Sequence, residues 1–246
     1  MDEPRYGGRV SFRRRLLDTL RAMEPVLEEP GVLVVGSQVP NLLEPGAAAT
    51  LVVSQDVDFA IPVSCHSPIK TALRKVRGLQ PSRDEPSVWV PDDRDLLEVN
   101  FIGVDPDLND AADARVLQDP ELPLLVFGAL SLIFPGEPLE VEGLKIPLPR
   151  PAGLVLEKLV TDRSGEKGNR DLLVALALLP NMTDSGFEEL LVAYAKLRPE
   201  LRYVVRSNLT ILSLMGPSLG MPDPRPERGR VAALLRRFEA CEKEAL

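Results

Sequence analysis

Asp56 and Asp58 stand two residues apart in the stretch Val53-Ser54-Gln55-Asp56-Val57-Asp58-Phe59-Ala60-Ile61. Apolar and polar residues alternate there, which predicts a half-buried strand over 51–61. Residues two apart on a strand share a face, so the two carboxylates project side by side. Like charges that close repel unless a cation lies between them. Magnesium suits the pair, because it takes oxygen ligands and commonly combines one or two carboxylates with phosphate oxygens. Upstream, the apolar run 31–35 ends in Gly36 and Ser37. A glycine there lets a ligand approach the backbone closely, and backbone N–H groups with the Ser37 hydroxyl suit phosphate oxygens. A small-residue turn followed by a strand bearing Asp-x-Asp points to magnesium-assisted phosphoryl or nucleotidyl transfer.

That chemistry needs a third ligand from a later strand. Glu98 is the first choice, because it lies inside the run 96–102. Asn100 shares its face and is the uncharged fallback; Asp95, at the strand edge, ranks third.

The elements that must position these groups are legible in outline. An amphipathic helix is expected over 9–28, with Arg13, Arg14 and Arg15 on its polar side. A strand at 31–35, a turn or short helix near 38–46, and the strand 51–61 follow. Ser67-Pro68 opens a helix through residue 77. Strands are expected at 87–90 and 95–104, a loop with one helical turn over 105–120, and an apolar stretch over 122–134 whose period does not decide its type. Residues 139–146 read as a hairpin turning near Gly143. The proline-rich segment 147–151 marks a boundary. Helices are expected beyond it at 154–163, 169–179, 183–197, 199–214 and 227–245. The fold class is thus α+β: a small mixed β-sheet core over 1–148, then a helical bundle over 149–246.

Composition narrows the function classes. The chain has 246 residues, 44% of them hydrophobic and 27% charged, with a net charge of −8. The acidic balance argues against broad non-specific binding to nucleic acid. No run approaches the ~18 apolar residues of a membrane span, and no signal-peptide pattern opens the chain, so no membrane association and a cytoplasmic location are expected. Cys65 and Cys241 are the only cysteines and His66 the only histidine, which leaves no disulfide framework and no His-rich metal site.

Gly36-Ser37 with Asp56-Val57-Asp58 resembles the signature of the nucleotidyltransferase superfamily with the DNA polymerase β-like fold. Leu156 to Arg163, followed by Gly168-Asn169-Arg170-Asp171-Leu172-Leu173, is similar to the second motif of small bacterial nucleotidyltransferases, including those of the abortive-infection toxin type. The resemblance spans roughly residues 31–180. It implies that Gly36, Ser37 and Lys158 hold the nucleotide phosphates, assisted by Arg163 or Arg170. Asp56, Asp58 and Glu98 would be the catalytic, magnesium-binding acids, and Asp171 would orient the bases. It implies Mg2+ as cofactor, an NTP such as ATP as substrate, and a hydroxyl acceptor that is a small molecule, a protein or a tRNA end. An antitoxin-like partner protein would accompany a toxin. The pattern also departs from the family at Val52, Ser54 and Val174, and at Asn100 if that residue aligns as the third ligand. These departures motivate the alternative, a nucleotidyltransferase-fold binding or regulatory protein without activity.

Overall fold

In a computed structural model of the chain, structure is described for residues 5–43, 54, 56–92, 95–108, 110–161, 165–217 and 223–244, and side chains for these except 5–11, 165–167 and 243–244. The chain opens with α1 (Arg5–Ala22), α2 (Glu24–Leu27), β1 (Leu33–Val35), α3 (Gln38–Leu43) and β2 (Asp56–Pro62). Then come α4 (His66–Leu73), β3 (Leu79–Pro81), β4 (Val88–Pro91), β5 (Glu98–Val104), β6 (Ala114–Leu117), β7 (Leu124–Phe127), β8 (Leu139–Val141) and β9 (Leu144–Ile146). The C-terminal helices are α5 (Pro151–Val160), α6 (Gly165–Leu178), α7 (Asp184–Lys196), α8 (Pro199–Leu214) and α9 (Arg228–Glu244). The order of strands first and helices last matches the expected α+β class.

The main sheet runs β1-β2-β5-β4-β3, with β7 joining the far half of β5 and β6 lying outside β7. It is mixed. β1 is antiparallel to β2, whereas β2 and β5 are parallel neighbours across their full length. A parallel pair needs a crossover. Here α4 and the β3–β4 hairpin supply it. On one face, Val57, Phe59, Val99 and Phe101 are buried, with Phe59 and Trp89 both packed against the Phe101 ring. Helix α1 is tied to this layer: the Thr19 hydroxyl accepts from Leu97 N at 2.8 Å, and the Arg15 guanidinium donates to Leu96 O. The other face carries Asp56, Asp58, Glu98 and Asn100, all half-buried. This is the two-residue period expected of the Asp-x-Asp strand.

Helix α5 covers that polar face. Every residue from Ala152 to Val160 is buried, Glu157 and Lys158 included. It packs against α6, α7 and α8, and Gly153 sits so close to Leu132 O that a side chain at 153 would collide with it. Helix α7 is capped by Thr183, whose hydroxyl accepts from Gly186 N. Buried apolar side chains from α1 to α9 form one contiguous cluster.

Several expectations shift. Residues 105–120 contain strand β6 rather than a loop with a helical turn, and β3 was not anticipated. The undecided stretch 122–134 is β7 followed by a 3-10 turn at 128–132. The first helix breaks at Met23, the helix opened by Ser67-Pro68 stops at Leu73, and the helix expected at 154–163 lies at 151–160. The strand predicted from 51 is described from Asp56, since residues 51–53 and 55 lie outside the described residues. The 139–146 hairpin is present, with Glu142 and Gly143 both at positive φ, the backbone a two-residue hairpin loop requires.

Candidate active site

The polar face of β2 and β5, the end of β1, and helices α5 and α6 enclose a cavity of about 460 Å³, a size typical of small-molecule sites. Parallel register fixes its floor: Asp56 stands opposite Glu98, and Asp58 opposite Asn100. The Asn100 amide nitrogen lies 3.0 Å from Asp56 Oδ2 and 3.2 Å from Asp58 Oδ1, donating to both carboxylates. Asp56 Oδ1 is buried with no hydrogen-bond partner. Burial, and then the neighbouring Asp56 charge, push the Asp58 carboxyl up to about 6. Glu98 is also raised, by burial first and then by Asp56 and Glu85.

An under-satisfied carboxylate beside a second one whose ionisation is penalised is a donor set that a hard cation would relieve. Among the described residues, no three or more His, Cys, Asp or Glu side chains converge closely enough to hold a metal ion. The group touching both aspartates is thus the amide Asn100, the fallback; Glu98 is paired in register with Asp56 only. A cation held here by two carboxylates would need its remaining ligands from water and from the oxygens of a bound phosphate.

Gly36 and Ser37 line the same cavity. Gly36 has φ +75°, and a methyl group on it would collide with Asp58 Oδ2. The glycine is needed twice over, for its backbone conformation and for the carboxylate beside it. Gly36→Ala is therefore expected to cost roughly 1–2 kcal/mol from backbone conformation alone. It should also displace the Asp58 carboxylate, so that thermal denaturation and divalent-ion affinity are both impaired. Wild-type ion affinity in this variant would contradict the placement of Gly36 against Asp58.

The turn is locked to the acid strand by Gln38, which is fully buried. Its amide donates to Ser54 O at 3.1 Å and to Asp56 O at 2.9 Å, and its own oxygen accepts from Asn41 at 2.9 Å. Nothing in the linear pattern marks Gln38, because a buried amide is recognisable only once its partners are in space.

The helical half contributes the cations. Lys158 on α5 lies 3.2 Å from Glu157 and 3.2 Å from Asp171 of α6, with its side chain 9% exposed. Arg170 also lines the cavity. Arg163 lies outside the described residues. The orienting partner expected at Asp171 is thus in contact with Lys158. Glu157 and Glu85 also line the cavity and were missed as site residues. A charged Glu-Lys pair inside an otherwise apolar helix is the signal that could have marked Glu157, since such a pair is costly to bury. His66 Nε2 lies 2.8 Å from Leu122 O and does not line the cavity.

No protein-family model matches the chain, and no curated protein matches it. Solved structures similar to it include a provisionally assigned nucleotidyltransferase from H. pylori (13% identity, 95% of this chain and 97% of that one, TM-score 0.39). JHP933 from Helicobacter pylori is 15% identical, over 96% and 95% of the two chains, with a TM-score of 0.38. An antigenic nucleotidyltransferase-like protein from Paracoccidioides brasiliensis is 17% identical, over 81% and 93%, with a TM-score of 0.37. Likenesses this distant do not decide what this chain does. Among the described residues, no helix is long and apolar enough to cross a membrane.

Proposed function

We propose that the chain is a magnesium-dependent nucleotidyltransferase, moving a nucleoside monophosphate from an NTP to a hydroxyl acceptor. One observation carries the reading. Two aspartates on one strand, one with a buried unpartnered oxygen, share a cavity with a glycine-serine turn held against them. Asp56 and Asp58 would hold the ion. The chemistry a bound magnesium ion supplies there is neutralisation of charge on the phosphate oxygens.

The protein's own groups have separable tasks. Gly36, Ser37 and Lys158 would hold the β- and γ-phosphates, aided by Arg170. The acceptor oxygen forms a bond to the α-phosphorus as the bond to the β-phosphate's bridging oxygen breaks, and pyrophosphate leaves. The acceptor's proton passes to Glu98, on the strand beside Asp56. Helices α5 and α6 would exclude water from the reacting centre.

ATP is the first nucleotide to test, with Mg2+ and α-labelled nucleotide. Pyrophosphate release that requires Mg2+, and transfer of the label to a hydroxyl compound or macromolecule, are the expected results. Failure of any NTP to bind in the presence of Mg2+ would overturn the reading.

A further inference from the structure

We infer that Asn100 is a latch on the acid pair: its amide holds one oxygen of each carboxylate, Asp56 Oδ2 and Asp58 Oδ1, so a cation bridging those two oxygens and the Asn100 contacts exclude one another. The inference rests on the reading of Asp56 and Asp58 as ion ligands, and goes beyond it by assigning a separate role to the residue between them.

The geometry is direct. One side-chain nitrogen is 3.0 Å from Asp56 Oδ2 and 3.2 Å from Asp58 Oδ1. Carboxylates only accept, so the nitrogen rather than the oxygen of the amide must face them. Each N–H can serve one carboxylate, and hydrogen bonds to charged acceptors are stronger than neutral ones. A magnesium ion bound to those same oxygens would sit about 2.1 Å from each, in the space the amide hydrogens fill, and those hydrogens carry positive partial charge. The amide is therefore a weak internal substitute for the ion. It steadies two close like charges when no ion is present, and it must let go when one bridges Asp56 Oδ2 and Asp58 Oδ1.

The register explains why this residue does so. Asn100 is the partner of Asp58 on the parallel strand and points to the same face. An aspartate at 100 would add a third like charge to the pair; an alanine would leave the two carboxylates facing each other with nothing between. Asparagine keeps the free site folded at the cost of cation affinity. The chain is thereby tuned to close around a cation that arrives with a phosphate-bearing ligand, and to resist a free ion alone.

The test uses Mn2+ as a stand-in for magnesium, followed by its electron paramagnetic signal, with and without a non-hydrolysable ATP analogue. The full-length Asn100→Ala protein is expected to bind Mn2+ alone at least about tenfold more tightly than wild type. Unchanged or weaker binding would overturn the latch, because an Asn100 that ligates the ion through its oxygen gives weaker binding on removal. In wild type, the Asn100 side-chain amide signals in a nitrogen–proton NMR spectrum should shift and lose protection from exchange on addition of Mg2+ with the analogue. Signals that stay protected would overturn it even where Asn100→Ala does not fold. Mn2+ binding by neither protein, with the analogue present, overturns both the latch and the ion-site reading; wild-type binding without a gain in Asn100→Ala overturns the latch alone.

Discussion

Asp58→Asn is expected to abolish nucleotidyl transfer and, in the same protein, to raise the stability of the ion-free fold. Loss of one ion ligand should remove several kcal/mol of transition-state stabilisation, about a thousandfold or more in kcat/KM. The stability gain follows from the Asp58 carboxyl lying near 6, pushed there by burial and by Asp56. Its folded value is above its unfolded one. The folded chain therefore holds the proton between about pH 4 and 6 where the unfolded chain does not, and stability falls as pH rises through that window. Above it the folded state carries the whole penalty, about 2–3 kcal/mol at roughly 1.4 kcal/mol per pKa unit. Asparagine is uncharged and keeps an oxygen to accept from Asn100. Calorimetric melting at pH 7.5 in a chelator should then show a midpoint roughly 5–10 °C above wild type, and the difference should vanish near pH 4. An unchanged or lower midpoint at pH 7.5 would show that Asp58 is not electrostatically frustrated.

The second large effect is at Lys158. Its ammonium is the cation shared by Glu157 and Asp171, and Glu157 is only 4% exposed. Buried ion pairs add little when intact, but removing one partner leaves a charge in a poor dielectric and typically costs about 3–5 kcal/mol. Lys158→Met preserves the length of the stem and deletes the charge, so it should lower the unfolding free energy extrapolated from urea denaturation by that amount. Adding Glu157→Gln to Lys158→Met should recover part of the loss, since one of the two stranded carboxylates is then gone. Additive effects in that double variant would place Lys158 outside the carboxylate cluster. Under the proposed activity, Lys158→Met should also raise the KM for ATP, because the point positive charge proposed to hold the triphosphate is lost.

These predictions rest on a division between what linear pattern reveals and what it hides. Asp56 and Asp58 share a face because side chains on any strand alternate with a period of two, whatever the rest of the chain does. Gly36 could be singled out because few residues tolerate a ligand or a carboxylate at van der Waals distance from the backbone. Pro199 at the start of α8 and the hairpin turn at Gly143 are likewise local chemistry, decided within a few residues. The order of strands and then helices, and hence the α+β class, followed from hydrophobic period together with proline and glycine punctuation.

Elsewhere the pattern failed for physical reasons. β6 is four residues long and largely exposed, Ala114–Leu117, and only Arg115 in it is polar, so it carries no alternation; it is a strand because β7 offers it a hydrogen-bonding edge. Helix α1 ends at Ala22 although the apolar spacing continues to Leu27. Only the folded chain decides which residue stands third beside the aspartates. That depends on the parallel register of β2 and β5, set by a crossover of more than thirty residues. A shift of two residues would have put Glu98 against Asp58, and sequence patterning is equally satisfied by both, because a two-residue slip leaves every side chain on the same face. The sequence by itself determined that two acids and a glycine turn exist and which way the acids point. Tertiary structure alone decided that an amide lies between them and that the lysine arrives already paired with Asp171, since these contacts join separate elements, β5 to β2 and α5 to α6.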